Sequence, residues 1–435
     1  MNTLSNTKIP NTVSILNGRL QDPANRIDQI VDIHVADGTV AAIGKPPADF
    51  TPDLVIDATN LITIPGIIDV GVCLREPGQE YKADIASETN AAATAGITTL
   101  CCLPNTCPVI DTPSVVELIK QRAETAAKAR VLPIGALTRN LDGEHLSEMA
   151  ALRDAGCIAV SNGNSPIRNT LVERRALEYA ATFNLTCLLQ PLDHALRDHG
   201  CVHEGKISAK LGLPGILEAA ETVALAKSLV LAEQIGTKVH FHTLSTAQAT
   251  AMLGGSQYTN AQISAGVAIH NLHLTEEHIG EFNSNCHVIP PLRTEVDRAG
   301  LRTAVADGRI AIICSDHQPH DPDAKTNPFP NTAPGISGLE TLLSLTLDLV
   351  HTKVLDLNTA IERITWGPAR SLNLPYGRLN VGAVADVCIF DPNAIWQVNT
   401  NKFRSRGHNS PFHNWRLPGQ VQWTLLAGRV VFKRS

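Results

Sequence analysis

The chain has 435 residues, of which 43% are apolar and 18% are charged, a composition typical of a globular protein with one large domain or two ordinary ones. It excludes a disordered chain, and because no apolar run reaches about 18 residues it also excludes a transmembrane helix. The formal net charge of −6 argues against nucleic acid or an anionic membrane as a partner. The first residues, MNTLSNTKIPNT, are polar and lack an apolar signal core, so we expect a cytoplasmic protein.

Ten cysteines are spread singly along the sequence, apart from the neighbours Cys101 and Cys102. They form no C-x-x-C pair, and their density is far below that of a disulfide-stabilised domain. We therefore expect most of them to be buried free thiols.

Residues 12–64 predict a series of short strands. Their apolar and polar residues alternate, and Asn-Gly and Asp-Gly dipeptides interrupt them where hairpin turns are favoured. Residues 376–435 return to this pattern after a long middle segment. We therefore expect residues 1–64 and 374–435 to form the two parts of one small β-sandwich, the second part with a tail.

Residues 65–373 alternate short apolar, strand-like runs with helical patterns. The runs ITTLCCLP, CIAVSN and KVHFHTLS predict strands, whereas SVVELIKQRAETAAKA predicts a helix. About 300 residues of this alternation predict an α/β fold, a (β/α)8 barrel. A doubly wound sheet is the alternative, but no G-x-G-x-x-G motif opens any of the helices. In a barrel, the chemistry lies at the carboxyl ends of the strands.

Residues 65–78, PGIIDVGVCLREPG, carry the most specific motif. They resemble the segment PG-x-x-D-x-H-x-H-L-R-E-P-G of dihydroorotases, with the two histidines replaced. Further segments similar to this family are CLPNTCPVID, LGLPGILEAAE, PPLRTEVDRAGLRTAVADGRIAIICSDHQPH and APGISGLET. Through nearly its whole length the chain thus resembles the dihydroorotase branch of the amidohydrolase superfamily, which implies a TIM-like barrel with a small β-sandwich formed by both termini.

Active dihydroorotases resemble two-metal enzymes, in which a metal polarises the cyclic amide and lowers the pKa of its bound water. The resemblance implies six ligand positions, of which five have lost the family's ligand: Gly71, Cys73, Asn162, Gln190 and Thr243. Only Asp316, which is also the position of the family's general base, is kept. We therefore predict no bound metal or other cofactor and no catalytic residue, and we expect Asp316 to act as a cap or as the partner of an arginine.

The substrate side of the implied site is kept better than the metal side. In the family, an arginine, an asparagine and a histidine hold the free carboxylate of dihydroorotate, and the resemblance places these roles on Arg75, Asn105 and His320. We therefore expect the chain to retain binding of a small carboxylate ligand. The alternative is that the three side chains form only a local hydrogen-bond network.

His240 and His242 lie close to the replaced position Thr243. A shift of one residue along a strand turns a side chain to the opposite face, so we expect both histidines to point into the helix layer rather than into the barrel. The alternative is a rebuilt mononuclear zinc site formed by Cys73, His242 and Asp316.

The resemblance extends to degenerate dihydroorotase-like chains that support the catalytic subunits of some bacterial aspartate transcarbamoylases. It implies a non-catalytic pseudoenzyme of pyrimidine biosynthesis, a structural or regulatory subunit in a hetero-oligomer with aspartate transcarbamoylase. Two alternatives are an active zinc-dependent dihydroorotase with an altered mononuclear site and a relative of the hydantoinases or allantoinases. The LREPG and PNT segments favour the dihydroorotase branch.

The tail NKFRSRGHNSPFHNWRLPG is expected to pack on the barrel, and no nucleic-acid or membrane partner is predicted.

Overall fold

The computed structural model describes residues 11–254 and 258–434. The polar N-terminal residues 1–10 lie outside this range. None of the helices within it combines the length and the apolar character that a bilayer crossing requires.

The N-terminal region forms short strands that belong to two sheets. These strands are β1 (Thr12–Leu16), β2 (Arg19–Asp22), β3 (Ile27–Ile30), β4 (Ile33–Ala36), β5 (Thr39–Ile43), β6 (Leu54–Asp57) and β7 (Ile62–Pro65). One sheet has four strands in the order β5-β4-β1-β6. Its buried residues Val13, Ile15 and Val35 share a core with Ile389 and Leu425 near the other end of the chain.

The middle of the chain supplies the barrel strands and a small ribbon. They are β8 (Ile67–Val72), β9 (Ile97–Cys102), β10 (Arg130–Ala136), β11 (Ala159–Ser161), β12 (Thr186–Leu189), β13 (Val202–His203), β14 (Gly215–Ile216), β15 (Lys238–Phe241), β16 (Gln262–Ala268) and β17 (Ile312–Cys314). The barrel is an eight-stranded sheet in the order β8-β9-β10-β11-β12-β15-β16-β17, and β13 pairs with β14 alone. The backbone N–H of Cys73 donates to the carbonyl oxygen of His317 at 2.9 Å and so joins the ends of the first and last barrel strands. The (β/α)8 prediction is confirmed, and the doubly wound alternative is excluded.

The C-terminal strands complete the sandwich. They are β18 (Val387–Gln397), β19 (Arg416–Leu426) and β20 (Arg429–Lys433). Together with strands of the N-terminal region they form a six-stranded sheet in the order β20-β19-β18-β7-β2-β3. Because both ends of the chain pair in one sheet, the predicted sandwich formed by both termini is confirmed.

Helices connect the barrel strands and cover their outer faces. Within the described residues they are α1 (Ile85–Thr94), α2 (Pro113–Ala126), α3 (Met149–Ala155), α4 (Thr170–Thr182), α5 (His194–Arg197), α6 (Lys206–Leu211), α7 (Ala219–Ile235), α8 (Ala247–Met252), α9 (Glu295–Ala306), α10 (Leu342–His351), α11 (Leu357–Ile364) and α12 (Trp366–Ser371). Local signals fix their ends. The carboxylate of Asp84 accepts the backbone N–H of Ser87 at 2.7 Å at the start of α1, and Gly236 ends α7 in the left-handed conformation.

The barrel strands are buried on both faces. Val70, Cys101 and Leu188 pack with each other inside the barrel, whereas Leu100 and Cys102 pack with the helices outside it. Continuous apolar runs such as ITTLCC in β9 are therefore what a parallel sheet covered on both sides requires. All ten cysteines are free, and all except Cys107 are buried, as the sequence predicted.

A buried ion pair fastens the barrel to the sandwich. The guanidinium of Arg130, from β10, donates to Asp386 Oδ2 at 2.6 Å, and the two side chains are only 19% and 4% exposed. The same carboxylate accepts the backbone N–H of Ala427 at 2.8 Å, and the guanidinium lies over the ring of Tyr376. Removing the cation would leave a buried carboxylate without its charge partner.

We expect Arg130→Ala to lower the free energy of unfolding by about 3 kcal/mol, because a buried charge that loses its partner is strongly destabilising. Urea denaturation measures this change. The matched control is Arg19→Ala, which breaks the Arg19–Asp28 pair, where both side chains are 47% exposed. This control should cost less than about 1 kcal/mol, and equal losses in the two variants would contradict the interpretation.

Candidate functional site at the carboxyl end of the barrel

Gly71 forms a β-bulge near the carboxyl end of β8. The register against β9 shifts between Val70 and Val72, so Gly71 stands unpaired between them with a φ of +81°. A Cβ atom built on Gly71 would lie 2.1 Å from Cε1 and 2.2 Å from Nε2 of His242. The imidazole of His242 therefore occupies the volume that a side chain at position 71 would need.

The expected orientation of His240 and His242 is wrong. Val239 and Phe241 of β15 pack with the helix layer, so the alternating residues His240 and His242 turn into the barrel. The parallel ladder continues through the backbone N–H of His242, and Thr243 then takes a left-handed conformation with a φ of +55°. The alternation of strand faces therefore ends at Thr243. The sequence-based prediction assumed that it continued through Thr243, and so it assigned His242 to the wrong face.

Both imidazoles are buried and neutral. His240 Nδ1 lies 2.9 Å from Ser264 Oγ, and the centroids of the two imidazole rings are 6.2 Å apart. Burial lowers the pKa of His240 to about 3 and the pKa of His242 to about 4. Neither nitrogen of His242 has a hydrogen-bond partner among the described residues. His242 fills space at the barrel mouth without being held by a polar contact there.

Three other replaced ligand positions are engaged in hydrogen bonds within the protein. Thr243 Oγ1 donates to Gln190 Oε1 at 2.9 Å, and Gln190 Nε2 donates to the carbonyl oxygen of Thr243 at 3.3 Å. Asn162 Oδ1 accepts the backbone N–H and the hydroxyl of Thr138, at 3.2 and 2.7 Å. Asn162 Nδ2 donates to the carbonyl oxygen of Ser165 at 3.3 Å. Gln190 and Thr243 thus satisfy each other, and Asn162 is satisfied by Thr138 and Ser165.

Cys73 completes the set of replaced positions. Its Sγ lies 3.3 Å from Nδ2 and 3.5 Å from Oδ1 of Asn105, and burial raises the pKa of its thiol. Only the thiolate form of cysteine binds a metal well. Across residues 11–254 and 258–434, no three His, Cys, Asp or Glu side chains are grouped so that they could hold a metal ion. These residues do not fit the metal centre that the resemblance implies.

Asp316 follows β17 and is buried with a φ of +47°. Its Oδ1 accepts a hydrogen bond from Gln318 Nε2 at 3.1 Å, and burial raises its pKa to about 7. The expectation of a helix cap or an arginine partner is wrong, since the hydrogen-bond partner is an amide. Arg75 acts on this carboxyl group only through its charge.

Sequence analysis did not identify two buried pairs that support this region. Asp69 accepts the backbone N–H of Ser315 at 2.8 Å and also accepts its hydroxyl group. His317 Nε2 lies 2.7 Å from Glu88 Oε2, and the backbone N–H of Gly338 donates to His317 Nδ1. The partners are 246 and 229 residues apart in sequence, so a local pattern cannot reveal them. The one sequence feature that could have indicated a structural role for Asp69 is its position inside the motif PGIIDVGVCLREPG.

Two of the three predicted carboxylate-binding residues lie together. Arg75 Nη2 is 3.3 Å from His320 Nε2, and Arg75 Nε donates to the carbonyl oxygen of Pro319 at 3.0 Å. Burial, with a smaller effect of the Arg75 charge, lowers the pKa of His320 to about 3. Asn105, the third residue of the set, binds Cys73 instead. Many of the hydrogen-bond donors of Arg75, Asn105 and His320 therefore bind other groups of the protein. This arrangement agrees with the alternative that the three side chains form only a local hydrogen-bond network.

The C-terminal tail packs on the barrel, as predicted. The backbone N–H of Arg406 donates to Glu88 Oε1 at 3.1 Å, and the backbone N–H of His320 donates to Asn409 Oδ1 at 2.9 Å. Asn409 Nδ2 donates to the carbonyl oxygen of Gln318 at 3.0 Å. The tail thus fixes one side of the barrel mouth.

We expect Gly71→Ala to lower the free energy of unfolding by about 3 kcal/mol, because its Cβ would collide with His242 and its positive φ disfavours alanine. His242→Ala removes the collision, so the double variant should lose at least about 1 kcal/mol less than the sum of the single variants. Gly382→Ala isolates the backbone effect, since Gly382 has a φ of +85° and its Cβ would meet nothing within 4 Å. Strictly additive losses in urea denaturation would show that residues 71 and 242 do not compete for space.

The raised pKa of Asp316 predicts a pH-dependent contribution to stability. The pKa of Asp316 is about 7 in the folded protein, against an ordinary value of 3.8. The folded state therefore favours the protonated acid, and the free energy of unfolding falls as the pH rises from about 4 to about 7. Asp316→Asn removes the effect and should gain about 2–4 kcal/mol relative to the parent between about pH 4 and pH 8. Asp57→Asn is the control, because hydrogen bonds from Thr59 lower the pKa of Asp57 below its ordinary value of 3.8, so its contribution should not change between about pH 4 and about pH 8. A difference between Asp316→Asn and the parent that does not change with pH would refute the prediction.

Comparison with known proteins agrees with the fold and the motifs. Residues 60–249 match the protein-family model described as "Dihydro-orotase-like". A "Dihydroorotase-like protein" of Pseudomonas putida is 48% identical over 419 residues, which cover 96% of this chain and 99% of that protein. The protein of the same name from Pseudomonas aeruginosa is 47% identical, and a "Dihydroorotase" of Citrifermentans bemidjiense is 41% identical, over the same shares.

Solved structures support the fold alone. The L-hydantoinase (dihydropyrimidinase) of Arthrobacter aurescens superposes with a TM-score of 0.88 over 97% of this chain and 96% of that chain, at 22% identity. A superposition of this extent shows that the two chains share the fold described above. Since identities of 41–48% extend over nearly the full length, the chain belongs to the dihydroorotase-like family.

Proposed function

We propose that this chain is a non-catalytic dihydroorotase homologue of pyrimidine biosynthesis. In this proposal it is a structural or regulatory subunit in a hetero-oligomer with the catalytic subunit of aspartate transcarbamoylase. The observation that carries the non-catalytic part is the place of the His242 ring. It fills the volume beside Gly71, where the family motif has its first histidine.

The chemistry of the reaction supports this assignment. An amide is a poor electrophile and water is a poor nucleophile at neutral pH, and a metal corrects both by polarising the carbonyl and ionising bound water. At the barrel mouth of this chain, the side chains of Gln190 and Thr243 bind each other, and Asn162 binds Thr138. Asp316, with a pKa of about 7, can exchange a proton, but a proton acceptor alone leaves most of the catalytic barrier in place.

A supporting role requires an intact fold and does not require a metal. The closed barrel, the two-ended sandwich and the packed tail meet that requirement. The relatives named "Dihydroorotase-like protein", at 47–48% identity, are also more similar to this chain than the "Dihydroorotase" of Citrifermentans bemidjiense, at 41%. The partner itself is proposed from the resemblance to degenerate chains of aspartate transcarbamoylase complexes.

A zinc-dependent dihydroorotase with a mononuclear site of Cys73, His242 and Asp316 is the second candidate. The observation that favours it is that both nitrogens of His242 lack hydrogen-bond partners among the described residues. The raised pKa of the Cys73 thiol opposes it, because a metal would have to bind a thiolate. It is opposed as well by the geometry, since Cys73, His242 and Asp316 are not grouped so that they could hold a metal ion.

Metal content and turnover of the purified chain separate these two candidates. We expect far less than one zinc per chain. We also expect a hydrolysis rate for dihydroorotate at most about one thousandth of that of a dihydroorotase with both histidines, with or without added zinc. Zinc near one per chain, with turnover that Asp316→Ala abolishes, would overturn the proposal and support the rebuilt site.

Association with aspartate transcarbamoylase is a separate test. Co-expressed with the transcarbamoylase catalytic subunit of its own organism, the chain should elute in one complex whose mass, measured by light scattering, contains both. A dihydroorotase with both histidines, expressed in place of this chain, is the comparison. Elution of the two proteins as separate species at micromolar concentration would refute the proposed association with aspartate transcarbamoylase. It would not affect the proposal that the chain is non-catalytic.

A further inference from the structure

A cavity of about 330 Å³ lies between the barrel and the sandwich, and it shares no residue with the replaced ligand positions. Its walls are the end of α1, the first turn of α10, the strands β18 to β20 and the loop 399–404. The volume lies in the range of cavities that bind small molecules.

Aromatic side chains form much of the cavity wall. Trp396, Phe403 and Phe432 all line it, in a chain with only four Trp, four Tyr and nine Phe. Trp396 is held in place, because its Nε1–H donates to Ser344 Oγ at 3.0 Å and Ser344 in turn donates to the carbonyl oxygen of Gly419 at 2.9 Å. A fixed indole provides a surface on which a planar ring can stack.

The charged residues of the cavity are mostly basic. Lys402, Arg404 and Arg434 line it, against a single carboxylate, that of Glu340. Glu340 does not cancel these charges by side-chain pairing, since its oxygens accept the backbone N–H groups of Arg404 and Ser405, at 2.9 and 3.2 Å. Glu340 therefore anchors the loop that forms one wall, and the cavity keeps an excess of positive charge.

Arg434 is the best placed of the three basic residues. Its Nε donates to the carbonyl oxygen of Val421 at 2.7 Å, and its guanidinium lies 5.6 Å from the centroid of the Phe432 ring. These contacts hold the guanidinium at the cavity wall beside the aromatic surface. A planar guanidinium fixed in this way recognises phosphate and carboxylate groups well.

We infer that this cavity is a binding site for a planar aromatic anion, that is, an aromatic or heteroaromatic ring that carries a phosphate or carboxylate group. The ring stacks on Trp396, and the anionic group binds Arg434 and Lys402. The inference does not depend on whether the barrel mouth is catalytic, because the two sites have no residue in common.

Isothermal titration calorimetry with the full chain tests the inference. The probes are a purine and a pyrimidine nucleoside 5′-monophosphate, the nucleosides without phosphate, inorganic phosphate and an aromatic carboxylate. At least one ring-bearing anion should bind about 10-fold more tightly than the ring alone or inorganic phosphate alone. Binding of the monophosphates but not the carboxylate would assign a phosphate ligand, and the reverse would assign a carboxylate ligand.

Variants at the cavity then locate the binding. Trp396→Leu and Arg434→Gln should each weaken it about 10-fold, since one removes the stacking surface and the other the anion-binding group. Arg429→Gln is the matched control, because Arg429 is an exposed basic residue of β20, the strand that directly precedes Arg434, and lies outside the cavity. Thermal unfolding shows whether each variant is folded. If one of them is not, Lys402→Gln is used in its place, because Lys402 lines the cavity but is exposed, so its replacement should not disturb the fold.

The inference is overturned by either of two results. One is that no ring-bearing probe binds at millimolar concentration. The other is that probes bind equally to the parent and to the folded cavity variants.

Discussion

The barrel mouth depends on the contact between Asp69 and Ser315, which holds the first barrel strand against the last. The carboxylate of Asp69 on β8 accepts both the backbone N–H and the hydroxyl of Ser315, directly after β17. Because this carboxylate is fully buried, its pKa is raised to about 6, and its hydrogen bonds must offset the loss of water. Gly71 and Arg75 follow Asp69 along the chain, and Asp316 follows Ser315, so this contact positions both halves of the site.

Around that contact, neutral polar groups stand at positions where the family resemblance implies metal ligands. A buried metal compensates the burial of carboxylates and fixes imidazoles in place, and without it the same side chains would be uncompensated charges or unpaired donors. Amides and a hydroxyl avoid this cost because they can satisfy one another, as Gln190 and Thr243 do, and as Asn162 does with Thr138. The residues at the mouth therefore suit the metal-free interior that we propose.

The sequence predicted the fold because its signals are local and repeated. Runs such as ITTLCC indicate strands covered on both faces, and the motif of residues 65–78 indicates where the first barrel strand ends. The direction of the His242 side chain was not predictable from the sequence. It depends on where the alternation of strand faces stops, and Thr243 leaves the extended conformation directly after His242. The pair of Glu88 with His317 was not predictable either, because it joins distant segments that only the closed barrel brings together.

The bulge at Gly71 also affects how this chain can change over evolutionary time. A single mutation that returned a histidine to position 71 would place it inside the ring of His242, and a single mutation at His242 would open a void without restoring a ligand. Further steps at Gln190 and Asn162 would each break a satisfied hydrogen bond before a metal could compensate for it. Each of these first steps toward the metal centre of the family motif should thus be less stable than the present chain, so selection for folding alone would oppose them.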